Sequence, residues 1–179
     1  NVLIVSQYYP PEYAVIPAEL AHALTEQGHV VRVLTGYPNY PEGRIFDGYR
    51  QRWRSRERHD EVAILRVPLF IDHSQNALRR VLNYASFALS AATARRFAAG
   101  ADVIYVYATQ MTPALGPWLW RLTGGVPYVL HVQDLWPDSI TGSSLVSPGR
   151  AARTIGALLD PWLRAVYRRA AGVIGIAPT

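Results

Sequence analysis

At 179 residues, 50% hydrophobic and 17% charged, the chain is long enough to bury one sizeable core and too apolar to be disordered. It contains no cysteine, which excludes a disulfide framework, a thiolate nucleophile and a cysteine-based zinc site, and no apolar run approaches the roughly 18 residues of a membrane span. The formal net charge is +5 and all 18 basic residues are arginine, a composition compatible with phosphorylated substrates, anionic lipid or nucleic acid and decisive for none of them.

An apolar strand at 2–5 runs into the proline-bearing loop from Ser6 to Tyr13. A helix is expected from about Pro17, a proline tolerated in a first turn, with Leu20, Ala23 and Leu24 on its buried face and Gly28 just past its end. A second strand at 30–34 follows, and Thr35-Gly36 opens the loop from Tyr37 to Arg44. Strand, helix and strand in such a short stretch make a βαβ unit, which requires a right-handed crossover and a parallel sheet.

Between Ile45 and Phe70 the pattern changes. Arg50, Arg52, Arg54, Arg56 and Arg58 occupy every second position, so an extended segment projects all five from one face and Trp53 from the other. A solvated edge strand protected by charge fits this pattern, and so does a phosphate- or membrane-facing strip. Residues 62–67 read as another strand, ended by Pro68. The longest helix is expected from about Asn76 to Phe97. Leu78, Val81, Leu82, Ala85, Leu89 and Ala92 recur there at three- and four-residue steps, the spacing of a core-facing stripe. Arg79, Arg80, Arg95 and Arg96 mark its ends, and Tyr84 and Phe87 its flank. A helix lying on a membrane surface shares these features, but core packing explains the spacing more often.

A strand at 102–106 delivers Tyr107, Thr109 and Gln110 to its carboxyl end. Thr112 and Pro113 read as N-cap and first turn of a helix carrying Leu115, Leu119 and Leu122, with Pro117 in its opening turns and Gly124-Gly125 as its stop. The strand from Tyr128 to Val132 then ends in a polar and aromatic cluster, Gln133, Asp134, Trp136, Pro137 and Asp138, with His131 and Gln133 on one face. A lone histidine on an apolar strand is more often a hydrogen-bonded core residue than a catalyst. A last helical region, about Pro148 to Ala170 with a break at Pro161, leads to a strand at 173–176.

About six strands alternating with helices define an α/β fold, a doubly wound and mostly parallel Rossmann-like sheet. Ligands of such sheets bind beyond the carboxyl ends of the strands. There the chain collects Tyr8, Tyr9, Tyr13, Tyr37, Asn39, Tyr40, Tyr107, Gln133, Asp134 and Trp136. Aromatic rims with a few carboxylates and amides suit sugars, whose C–H faces stack on rings while their hydroxyls take hydrogen bonds. The sequence has no GxGxxG after its first strand, no GxxxxGK[ST], no HExxH and no GxSxG. These absences remove a Rossmann dinucleotide site, a P-loop, a zincin metal site and a hydrolase nucleophile elbow.

The segments VLIVSQYYPPE, QGHVVRVLTGYPNYPEGR, RVPLF, DHSQNALRRVLNYASFALSA and HVQDLWPDS together resemble the amino-terminal domain of the group-1, family-4 glycosyltransferases of the GT-B fold. The likeness covers nearly the whole chain and is nearest to the subset used in bacterial O-antigen, capsule and exopolysaccharide assembly. It implies transfer of a sugar from a nucleotide-sugar donor to a lipid-linked or other saccharide acceptor, with residues 1–179 as the acceptor-side half. A carboxyl-terminal donor-binding domain lies outside this chain, so the fragment alone is expected to be inactive. No cofactor or metal is expected in the chain; the donor is expected for the full-length enzyme.

Carried over by position, the resemblance keeps Asp134 as a catalytic candidate, and His131, two residues upstream on the face of Gln133, is the candidate substitute. Asn39, Tyr40, Glu42, Arg44 and Gln133 are the acceptor-binding candidates, the alternative for the first four being a purely structural Pro/Gly-rich loop. Ala14, Val15 and Ile16 stand near the donor phosphates, where the family commonly has a Gly-Gly pair that lets the backbone approach. Gln133 stands where many members have histidine, and an amide cannot act as a general base. A retaining mechanism accommodates that departure, because the leaving phosphate can take the acceptor proton while the protein positions and stabilises. The implied location is the cytoplasm, at the inner face of the membrane. A second reading, from charge alone, is a stand-alone basic module that binds anionic lipid, or less favourably nucleic acid, through Arg50 to Arg58.

Overall fold

The computed structural model describes residues 1–72, 76–134 and 150–176, apart from the side chains at 77, 150–156 and 158. Trp136, Pro137, Asp138, Pro148 and the final three residues lie outside this set. The strands are β1 (Val2–Ser6), β2 (Val31–Gly36), β3 (Ser55–His59), β4 (Val62–Val67), β5 (Val103–Ala108), β6 (Tyr128–Val132) and β7 (Gly172–Gly175). The helices are α1 (Val15–Glu26), α2 (Ala77–Ala92), the short α3 (Arg95–Ala98), α4 (Leu115–Leu122) after a 3-10 turn at Thr112–Ala114, and α5 (Arg150–Arg169).

One sheet of order β3-β4-β2-β1-β5-β6-β7 holds all seven strands, and only β3 pairs antiparallel. From β1 the chain steps first toward β4 and then, after β4, back across to β5, β6 and β7. Right-handed crossovers therefore put α1 on one face and the later helices on the other. The packing follows: α1 covers Ile4, Val31, Val33, Val62 and Ile64. The opposite core joins Leu3, Val5, Leu34, Leu65, Ile104, Val106, Tyr128 and Leu130 to Phe87 and Ala91 of α2, Trp120 of α4 and Leu163 and Val166 of α5. The central strands are buried on both faces, which is why they read as continuous apolar runs. The direction of travel reverses between β1 and β5, and that crevice is the topological switch point.

The architecture is the expected doubly wound, Rossmann-like α/β sheet. Several local expectations are corrected. The sheet has seven strands rather than about six, because β3 forms an edge. Only Arg56 and Arg58 of the alternating arginines lie on that strand; Arg50, Arg52 and Arg54 precede it, and Trp53 is exposed. In α1 Leu20 and Leu24 pack against the core as expected and Pro17 and Ala21 are buried, while Ala23 faces solvent. Thr112 and Pro113 belong to the 3-10 turn; α4 starts after Ala114 and buries Gly116, Pro117 and Trp120 rather than Leu119 and Leu122. Pro161 lies inside α5 without breaking it.

The largest correction concerns α2. Its supposed core stripe points outward: Leu78, Val81, Leu82 and Leu89 are 69, 53, 46 and 63% exposed. Asn83, Phe87, Ala88, Ser90 and Ala91 face the sheet instead. Small residues allow the helix to sit close over the strands, and Asn83 and Ser90 satisfy their polar groups inward, on Phe70 O (2.6 Å) and Pro68 O (2.6 Å).

Candidate active site at the strand ends

The carboxyl ends of β4, β2, β1, β5 and β6 form one rim, and at the switch point its floor is a chain of buried amides. Gln110, beyond β5, donates to Gln7 Oε1 beyond β1. Gln7 Nε2 donates to Asn83 Oδ1 of α2 at 2.7 Å. Thr109 Oγ1 donates to Gln110 Oε1 at 2.5 Å. An amide gives and accepts at once, so this chain spans the crevice without burying charge.

Two charged side chains fix the loops above that floor. Glu12 is buried, and its Oε1 accepts the backbone N–H groups of Asn39 (2.6 Å) and Tyr40 (2.8 Å). It thereby ties the loop after β1 to the loop after β2. Burial pushes its carboxyl above the usual range, against the pull of the three N–H donors of Asn39, Tyr40 and Tyr9 and of Arg66. Arg66 of β4 is 1% exposed. Its guanidinium pairs with Glu57 (2.5 Å), donates to Gly36 O (2.9 Å) and Pro10 O (2.5 Å), and lies 5.2 Å from the Tyr49 ring centroid. A buried cation is tolerable because each of its three nitrogens donates a hydrogen bond and one acceptor is a carboxylate.

This scaffold sorts the acceptor-side candidates. Asn39 is fully buried and its Nδ2 donates to Tyr37 O at 2.7 Å, so its side chain supports the loop from within. Tyr40 is partly exposed and its ring sits 5.5 Å from that of Tyr8 at a 52° tilt. Tyr9 and Tyr37 are buried in the cores and leave the rim. Glu42 and Arg44 are exposed and paired at 2.9 Å. With Pro11, Phe46, Asp47 and Tyr49 they line a shallow cleft of about 490 Å³. Ala14 is buried at the start of α1, no side chain caps that helix, and Val15 and Ile16 are exposed on its first turn.

The catalytic candidates meet at the end of β6. His131 Nδ1 is hydrogen-bonded to the Tyr105 hydroxyl, and its Nε2 to Gln133 Nε2 at 2.8 Å. With the Gln133 amide donating, the imidazole carries its proton on Nδ1 and gives it to Tyr105. Tyr105 and Tyr107 present their ring edges to the imidazole at 5.7 and 5.6 Å between centroids. Burial lowers the His131 pKa and raises that of Tyr105 to about 12. Tyr107 is raised by burial and then by Asp134. Both imidazole nitrogens are thus engaged within the protein, whereas Asp134 is exposed. Gln133 is anchored by its own N–H on Ala108 O at 3.0 Å.

The structure therefore brings His131 and Gln133 together with Asp134 next in the chain, and separately pairs Tyr8 with Tyr40 and Glu42 with Arg44. Three strand spacings, about 14 Å, separate the ends of β2 and β6. Sequence reasoning missed Gln7, Glu12, Arg66 and Asn83. Arg66 did carry a signal, a single charge inside the apolar run 62–67, which burial can accept only with partners. Among the described residues no cluster of His, Asp or Glu could hold a metal ion.

A doubly wound sheet with this rim is the Rossmann-like half of a GT-B architecture, and residues 13–179 match the glycosyl transferase 4-like domain; the chain belongs to that family. Among curated proteins it is similar to WcaI of Escherichia coli strain K12, assigned by name as a glycosyl transferase of colanic acid biosynthesis, with 30% identity over 159 residues. That match takes in 86% of this chain and 39% of the relative's length.

Proposed function

We propose that this chain is the acceptor-side half of a glycosyltransferase of bacterial surface polysaccharide synthesis, completed by a carboxyl-terminal donor-binding domain. The donor is a nucleotide sugar and the acceptor a lipid-linked saccharide, used at the cytoplasmic face of the membrane. Family membership together with the rim carries this reading: an aromatic pair, Tyr8 and Tyr40, stands across the switch-point crevice from the exposed Asp134. The Tyr8–Tyr40 pair offers a stacking surface to a sugar face, and Glu42 and Arg44 supply hydrogen-bonding groups beside it.

Asp134 takes the hydrogen bond of the acceptor hydroxyl. His131, with both nitrogens engaged, holds Gln133 in place rather than removing a proton. In the retaining course the bond from the anomeric carbon to the donor phosphate breaks and the bond to the acceptor oxygen forms. The acceptor proton passes to the departing phosphate. Val15 and Ile16, where glycines are common in the family, put side chains beside the uncapped first turn of α1, so donor phosphates approach that turn from its open end.

The test is donor turnover by the full-length protein over a panel of nucleotide sugars with lipid-linked acceptors. Turnover of one donor is expected. Asp134→Asn should lower kcat/KM by about 10- to 100-fold, the equivalent of a lost charge-assisted hydrogen bond. Folded full-length protein that is silent on every donor overturns the reading, and unchanged kinetics in the variant removes Asp134 from its role.

A further inference from the structure

We propose that the outward face of α2, with the arginine-rich segment at 50–56 beside it, is the surface by which this protein docks on an anionic lipid bilayer. The inference deepens the membrane-face part of the proposed function and rests on it only for the presence of a membrane.

The first observation is an inverted helix. Leu78, Val81, Leu82 and Leu89 form one exposed stripe, with the partly buried Ala85 between them. A solvent-facing helix side normally carries the polar residues. Here the polar residues Asn83 and Ser90 point inward and hydrogen-bond there. From Leu78 to Leu89 the stripe runs about 16 Å along the helix axis.

The second observation, charge, identifies what meets the stripe. Segments 50–56 and 76–96 contain Arg50, Arg52, Arg54, Arg56, Arg79, Arg80, Arg95 and Arg96 and no carboxylate. Arg54 Nη2 donates to Thr93 O at 2.7 Å, one turn beyond Leu89, which seats this segment against the lower end of the stripe; its neighbour Trp53 is exposed. Pairing of Arg56 with Leu65 puts Arg56 on the same side of the sheet as α2. Among the described residues the ion pair of these segments is Arg79 with Asp72, at 3.0 Å. A leucine stripe bordered by arginines and a tryptophan has the chemistry of a surface that sinks its apolar side chains to the acyl boundary while the guanidinium groups meet lipid phosphates. A protein partner would need a matching acidic rim, and a two-fold pairing of this face with its own copy sets these arginines against each other.

The experiment uses the full-length protein and vesicles of phosphatidylcholine, with and without phosphatidylglycerol. Binding to the anionic vesicles that weakens with salt is expected, with none to the neutral ones. Leu82→Ser with Leu89→Ser should lower partitioning at least tenfold without changing circular dichroism or turnover of a water-soluble acceptor. Each arginine removed from Arg50, Arg52 and Arg56 should cost about fivefold. Residues 1–179 are cysteine-free; with any cysteine elsewhere in the full-length protein replaced, an environment-sensitive fluorophore on Leu89→Cys should shift to the blue on anionic vesicles, and one on Glu19→Cys of α1 should not. Absent vesicle binding, unchanged partitioning of the leucine variant, or a wild-type dimer that the leucine changes dissociate each overturns the proposal. Loss of all donor turnover with vesicle binding intact would strike the transferase reading and leave this one standing.

Discussion

Arg66 shows how much of the rim depends on one side chain. It touches the loop after β1, the last residue of β2 and the edge strand β3, and each contact is a charge-assisted hydrogen bond. Replacing it with methionine keeps the volume and strands the Glu57 carboxylate with two carbonyls. Loss of one partner from a buried pair costs about 3–5 kcal/mol, and because Glu57 is 30% exposed the lower end applies. Arg66→Met should therefore lower unfolding stability by about 3 kcal/mol in urea titration. Arg66→Lys should recover only part, because an ammonium cannot fork to three acceptors. A loss under about 1 kcal/mol would mean that the loops hold without it. Asp134 and His131 were legible as candidates because they stand at the end of an apolar strand. The engagement of both imidazole nitrogens was not, since Tyr105 is 26 residues away in sequence and meets His131 only through strand pairing.

Periodicity marks which residues of a helix lie together but not which side meets the sheet. In α2 the stripe was real and its direction was the reverse of the expected one. The decisive contacts come from α4. Its Trp120 Nε1 donates to Ala92 O at 2.9 Å, and at Gly116 an added Cβ would lie 3.1 Å from Ala92 Cα. Such an approach admits only small side chains at the crossing, where α2 has Ala91 and Ala92. Gly116→Val should separate the two helices and destabilise the protein by about 1–3 kcal/mol, read as a lower urea midpoint. An unchanged midpoint would show that the crossing can yield without cost. The same crowding explains why Leu119 and Leu122 of α4 stay at the surface while Gly116 and Pro117 are buried.

Across the whole molecule, stability should grade from the sheet centre outward. β1 is paired on both sides and buried on both faces, whereas β3 and β7 each pair once, and Val173 and Ile174 of β7 are exposed. Amide hydrogen exchange should be slowest in β1 and β2 and fastest in β3 and β7. Equal protection of β7 and β1 would contradict that gradient. By itself the sequence determined the α/β class, the parallel sheet and the family resemblance, and it pointed to the rim as the candidate site. These follow from local apolar runs, their spacing and short motifs. Only the tertiary structure decided that Asn39 is a buried support, that Glu12 and Arg66 hold the loops, and that α2 turns its leucines outward. Each of those depends on which distant segments share a volume, and burial, pairing and close approach are properties of neighbours in space rather than along the chain.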